Sequence, residues 1–284
     1  VRRQLLVDRY GKVEVVPPDA IVERVVTSPF GGEVKVYMLT DEHKAFIEAC
    51  DQVVTGEFSS PEFAEARKRD LPALTYIPAQ ILFEFGHYDE ARPRFHKVIA
   101  SFQSAPEAAF SGGLVIRSYQ EERDLEKVRF YTNKYGNMSL GPQEVAAAKK
   151  KEWDELKEGS TFKLAYALLE QGQREEAATA FLAFLDEFPR SPLAKDALFN
   201  AANSLEIVGK ADDANALFEK YINRYPRDER SEGLYFRIAS NYAGILQLDQ
   251  AIRYYTNLVE YFPKAKNAPT ALYNAAFLKI GLGD

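Results

Sequence analysis

A chain of 284 residues with 46% hydrophobic and 27% charged side chains has an ordinary foldable composition, enough for one or two domains. Its formal net charge of −6 argues against a general nucleic-acid binder, whose phosphate contacts need a surplus of Lys and Arg on one face. A single cysteine, Cys50, leaves no disulfide within the chain, and no apolar run approaches the roughly 18 residues that a membrane helix requires.

In chain order, residues 1–40 come first and differ from the rest. The runs "QLLVDRYGKVEVV" and "GGEVKVYML" alternate or carry β-branched residues, and Pro17-Pro18 and Gly31-Gly32 break them. Short strands or extended segments are expected there. Two strands are marginal alone, so they either pack on the first helices or belong to a domain completed elsewhere. A helix is predicted from Thr40 or Asp41, as cap, to Val54. Residues 41–284 then read as helical throughout. Lys149-Lys150-Lys151 is followed at once by Glu152, Asp154 and Glu155, the pattern of a solvated helix face. The chain starts at Val1 without an initiating Met and stops at Gly283-Asp284, which reads as a piece of a longer protein; any targeting signal is expected outside it.

The helical part repeats. Phe188-Pro189, Tyr225-Pro226 and Phe262-Pro263 lie 37 residues apart, as do Ala177, Ala214 and Ala251, and Phe181, Phe218 and Tyr255. Ala165, Ala202, Ala239 and Ala276 form a further column, and Gly172 and Gly209 share the period, with Gly283 two periods after Gly209. Five columns with one period mark a stack of similar units. Gly86, Ala91, Phe95 and Ala79 extend the register backwards; one period later Arg123 replaces the glycine and Val128 the alanine. The stretch 105–158 is therefore a divergent unit with an insertion around Gly141–Gly159 that lengthens a helix, and regular units resume from about 159.

Each column has a physical role. Apolar spacing of three and four in Thr161–Gln171 and Ala177–Phe188 gives two amphipathic helices per unit. The small residue lets helices approach, the glycine takes the left-handed conformation after the first helix, and the proline ends the second. Ser191-Pro192 is expected to cap the next helix, with Pro192 at its first position. No unit buries its apolar face alone, so the stack is the core.

Catalytic signals are absent from this pattern. His43, His87 and His96 have no ligand spacing, and HExxH, GxSxG, GxxxxGK[ST] and GxGxxG do not occur. The histidines are expected to be solvated or capping, and Cys50 to be a buried inert thiol. Gly112-Gly113 reads as a packing accommodation, and Glu121-Glu122 and Glu175-Glu176 fall on predicted outer faces. No catalytic residue, metal or cofactor is expected.

The columns small–Gly–Ala–Phe–Pro resemble the tetratricopeptide repeat (TPR) family, best in "ALLEQGQREEAATAFLAFLDEFPRSPLA" and "NSLEIVGKADDANALFEKYINRYP" and over roughly residues 70–284. The resemblance implies an all-α, right-handed superhelical solenoid of about five antiparallel helix pairs, with a short extended or β-containing segment before it. The period exceeds the usual one of about 34, the extra residues being expected to lengthen the first helix of the next unit. The family's Trp is replaced by Thr161, Leu198, Tyr235 and Leu272. Units of this length are similar to those of bacterial cell-envelope proteins: outer-membrane assembly lipoproteins, Tol-Pal accessory proteins and, through "AQILFEFGHYDEARPRFHKVI", the repeat proteins of myxobacterial gliding motility.

In that family the first helices line a concave groove, and their fifth and sixth positions face the ligand. The fifth-position column here is Phe162, Phe199, Phe236 and Tyr273; the sixth is Lys163, Asn200, Arg237 and Asn274. A strip of rings beside a strip of donors suits an extended peptide, and the plainer alternative is inter-unit packing with solvated polar residues. Gly159, Asp196, Gly233 and Thr270 stand where carboxylate-gripping members need Lys, so that mode is not supported. The resemblance thus implies a non-catalytic scaffold or adaptor for protein or peptide partners, periplasmic or outer-membrane-associated, with a cytoplasmic location as the alternative. No nucleic acid or small-molecule substrate is implied, and the curved face could receive another copy. The rival function is a substrate-recruiting or chaperone module of a larger enzyme or export system.

Overall fold

The computed structural model describes residues 20–56 and 61–283, which divide into two compact units between Ser160 and Thr161. The expected strand in 4–16 lies outside the described residues. Helices dominate both units, twelve of them among the described residues, with one two-stranded sheet.

In the first unit, β1 (Val22–Thr27) and β2 (Glu33–Tyr37) form an antiparallel hairpin with Val26 opposite Val34. Alternation puts Val34 and Val36 inward, and both are buried. Gly31 turns the chain with φ +79°, donating to the Ser28 carbonyl at 3.0 Å. A Cβ on Gly32 would lie 2.4 Å from the backbone of Glu122, so only glycine admits this close approach.

Helix α1 (Asp41–Thr55) starts at Thr40, whose hydroxyl accepts from the His43 amide, and buries Phe46 and Cys50. Then come α2 (Pro61–Glu84), α3 (Tyr88–Ser101), α4 (Pro106–Glu121) and α5 (Leu125–Gly136). The hairpin is docked on the turn between α2 and α3: the Tyr37 amide donates to Phe85 O at 2.9 Å, and Gly86, at φ +78°, leaves room for Lys35 O. The sheet therefore packs against the helices, one of the two arrangements the sequence allowed. Gly112 likewise makes room, since a Cβ there would lie 3.2 Å from the buried Trp153 ring.

Helix α6 (Gln143–Glu170) absorbs the insertion, and the boundary between the units falls within it. Its start packs Trp153 in the first unit, while its end opens the second. There α7 (Arg174–Glu187), α8 (Ala194–Ile207), α9 (Ala211–Arg224), α10 (Glu229–Gly244), α11 (Leu248–Tyr261) and α12 (Ala268–Leu282) follow. Ala177, Ala214 and Ala251 are fully buried where paired helices cross, and Phe181, Phe218 and Tyr255 fill the space beside them. Helices α7, α9 and α11 stop one residue before the ring of each ring–Pro pair.

Two expectations are corrected. Helix α8 begins at Ala194 with Leu193 at its cap position; the Ser191 hydroxyl accepts from the Leu193 amide at 2.9 Å, so Ser191 stabilises the inter-unit turn instead of capping. Residues after each proline thus go partly into that turn rather than wholly into the next helix. Glu122 is not on an outer face: its carboxylate pairs with Arg92, and its carbonyl accepts from the Ser28 hydroxyl.

Candidate protein-binding face

The fifth-position rings serve the helix pairs first. Phe162 meets Phe181 and Phe184 edge-on at 5.4 and 5.5 Å. Phe199 lies 5.9 Å from Tyr221, and Phe236 lies 5.3 Å from Tyr255. Each is half-buried between a first helix and the second helix that follows it. Tyr273 differs, being 68% exposed and stacked on Phe277.

The sixth-position column is not uniform either. Lys163 is exposed, while Asn200, Arg237 and Asn274 are half-buried. Arg237 bridges α10 to α8: its guanidinium pairs with Glu206, donates to Asn203 Oδ1 at 2.8 Å and covers the Phe218 ring at 4.6 Å. Asn241 Nδ2 donates to the same Glu206 at 2.9 Å and to the buried Asn215 at 3.0 Å. A half-buried, multiply bonded ion pair of this kind fixes helix register more than it adds net stability.

A second knot lies at the start of the same two helices. The Asp228 carboxylate caps α10 by accepting from the Arg230 amide, and also accepts from Lys195 Nζ and Tyr221 OH, each at 2.7 Å. The Lys195 bond, the Tyr221 hydroxyl and the cap together hold its pKa down at about 2. Arg230 donates to Asp196 at 2.7 Å and lies over the Phe199 ring. Asp196 is thus already matched by a cation, not an isolated negative charge. The repeat columns alone do not single out Asp228, Glu206, Asn203 or Asn241. The recurrent spacing of Asp196 with Arg230 and Asn203 with Arg237, one unit apart, is the signal that could have found them.

The imidazole and thiol candidates have structural partners. His87 Nε2 lies 2.9 Å from Tyr37 O, fastening the hairpin, and Nδ1 lies 3.2 Å from Glu90. His96 Nδ1 lies 3.0 Å from the Tyr135 hydroxyl, and burial, with Lys134 and Arg92 nearby, lowers its pKa. Burial also lowers that of His43 and pushes the Cys50 thiol up to about 11. Among the described residues, no group of His, Cys, Asp or Glu is arranged to hold a metal ion. No helix among them is long and apolar enough to cross a membrane.

Residues 162–229 and 234–265 match two family models, each described as "Tetratricopeptide repeat". These segments are tetratricopeptide repeats. No curated protein matches the chain. Among solved structures, yeast Tom70 is 17% identical, over 84% of this chain and 47% of its own, with a TM-score of 0.34. The chain thus spans less than half of that relative. YrrB, described as a TPR protein with an unusual peptide-binding site, is 13% identical over 74% of this chain and 97% of its own, with a TM-score of 0.33. A thermophilic TPR protein of Thermus thermophilus is 15% identical over 72% of this chain and 99% of its own, with a TM-score of 0.30. The matched segments contain the Arg237–Glu206 knot, all of the Asp228 knot but Arg230, and the candidate residues Phe162, Lys163, Phe199, Asn200 and the Phe236–Arg237 pair.

Proposed function

We propose that this chain is a non-catalytic scaffold or adaptor that holds protein or peptide partners on the first helices of its TPR units. The observation that carries the reading is the repeated pairing of a ring with a hydrogen-bonding residue at equivalent positions of α6, α8, α10 and α12. The half-buried rings leave part of their surface to a partner, and Lys163 and Asn200 offer donors beside them. Arg237 and Arg230 hold the face in shape through Glu206 and Asp196, so a partner meets a pre-organised surface.

The context we favour is a bacterial cell-envelope assembly, in the periplasm or at the outer membrane. The long period and the likeness of "AQILFEFGHYDEARPRFHKVI" to gliding-motility repeats support that context. The test is a cross-linked pull-down from native cell fractions with wild type and the Lys163→Glu/Asn200→Ala variant. A few stoichiometric envelope proteins, lost with the variant, are expected. Unchanged capture by the variant would overturn the assigned face, and a smear of unrelated proteins would replace the adaptor with a chaperone.

A further inference from the structure

Helix α5, the second helix of the divergent unit, departs from its counterparts on its outer side. Val128 stands in the column of the buried alanines Ala91, Ala177, Ala214 and Ala251, and is itself buried. Two residues after that column the other second helices carry Pro93, Thr179, Ala216 and Arg253, whereas α5 carries Phe130, 55% exposed. One residue before it they carry Glu90, Glu176, Asp213 and Gln250, whereas α5 carries Lys127. An acidic or amide position has become a cation, and a position without an aromatic ring has gained one. Neither change serves the core, which α5 reaches through Val128, Thr132 and Tyr135.

Lys127, Phe130 and Lys134 are spaced three and four apart and are all exposed, so they line one stripe of the helix. The Phe130 ring stands edge-on to Tyr131, with centroids 5.0 Å apart. Tyr131 is stacked on Tyr119 at 5.3 Å and on His96 at 5.5 Å, so the exposed ring rests on a fixed aromatic tier. Lys134 Nζ lies 5.8 Å from the Tyr131 centroid. Among the described residues, neither Lys127 nor Lys134 forms an ion pair with a carboxylate. Glu126 is the helix's single acidic residue, against Lys127, Arg129 and Lys134. The positive potential reaches His96, whose pKa is lowered by burial first and then by Lys134 and Arg92.

A ring held between two cations can bury an apolar side chain while the ammonium groups meet carboxylates on either side of it. Lys127 and Lys134, two turns apart, set the spacing of those carboxylates at about 10 Å. We infer that the outer stripe of α5 docks an acidic segment of a partner protein, with an apolar side chain between its carboxylates. Charge selects this occupant. The chain carries a net charge of −6, so an extended polyanion, such as a nucleic acid or an anionic membrane, is repelled by the rest of the surface. A short acidic segment meets the stripe alone. The stripe lies on a second helix of the first unit and needs none of the first-helix residues of the proposed peptide strip.

The probe is the fluorescein-labelled acidic peptide DEELFDELEE, titrated with the full chain at low ionic strength and followed by fluorescence anisotropy. Saturable binding is expected. Affinity should fall about tenfold or more for the chain variants Lys127→Glu/Lys134→Glu and Phe130→Ser, and for the amide analogue NQQLFNQLQQ. Lys163→Glu/Asn200→Ala should bind as wild type does. Because Lys127, Phe130 and Lys134 are exposed, their substitution leaves the fold intact, which circular dichroism checks. Absence of saturable binding, or equal binding by both stripe variants, overturns the inference. Binding of phosphatidylglycerol vesicles or poly(U) RNA that Lys127→Glu/Lys134→Glu abolishes, with the peptide unbound, also overturns it, by assigning the stripe to a lipid or nucleic-acid partner.

Discussion

Leu246 occupies the column that holds Gly172, Gly209 and Gly283, and takes the same left-handed backbone at φ 62°, with 81% of its surface exposed. Arg123 does so at φ 59° in the divergent unit. An L-residue there carries a steric cost of about 1 kcal/mol that glycine escapes. Leu246→Gly is accordingly predicted to stabilise the protein by about 1 kcal/mol in urea unfolding, despite the added entropy of the unfolded chain. An unchanged or lowered midpoint would show that the turn is not strained. The glycine column was legible in the sequence because the requirement is local; that Arg123 and Leu246 keep the conformation without glycine was not, since the surrounding turn over-determines it. Cys50 illustrates the same contrast. Its place on an apolar helix face predicted burial, and the packing of Phe46 and Phe85 around it completes that burial. The thiol should resist alkylation at pH 8 until the chain unfolds, and rapid native labelling would contradict this.

Among elements, the ties between α8 and α10 can be tested one at a time. Removing the Asp228 carboxylate deprives α10 of its cap and leaves Tyr221 OH and Lys195 without their acceptor. Asp228→Ala should cost about 2 kcal/mol. Because its folded pKa is drawn down to about 2 from an ordinary value of about 3.9, its stabilisation is complete above about pH 4 and disappears as pH falls towards 2. Wild type and Asp228→Ala should therefore converge in stability over that window; a constant difference down to pH 2 would refute the assignment. Arg237→Glu sets two carboxylates together at Glu206 and should cost about 1–3 kcal/mol, recovered in large part by adding Glu206→Arg. Non-additivity of that kind separates the structural use of Arg237 from any contact with a partner. Helix ends and pairing were readable because the ring–Pro and small-residue columns act within a single unit. The Arg237–Glu206 and Asp196–Arg230 pairs join neighbouring units and depend on the stacking register, while docking of the hairpin on Gly86 joins residues about 50 apart; neither is written in local spacing.

For the molecule as a whole, twelve described helices and a hairpin place recurring chemistry types — rings, amides and matched ions — on first helices. Stacked repeats present an extended rigid surface, and in the second unit the ion pairs between first helices keep that surface ordered before any partner arrives. The most direct test is site-specific photo-cross-linking in native cell fractions, with the photoreactive side chain placed in turn at Lys163, Asn200 and the exposed Ala216 of α9. The account predicts that Lys163 and Asn200 capture the same stoichiometric protein and that Ala216 does not. Capture from Ala216 alone, or equally from all three, would contradict a binding face on the first helices.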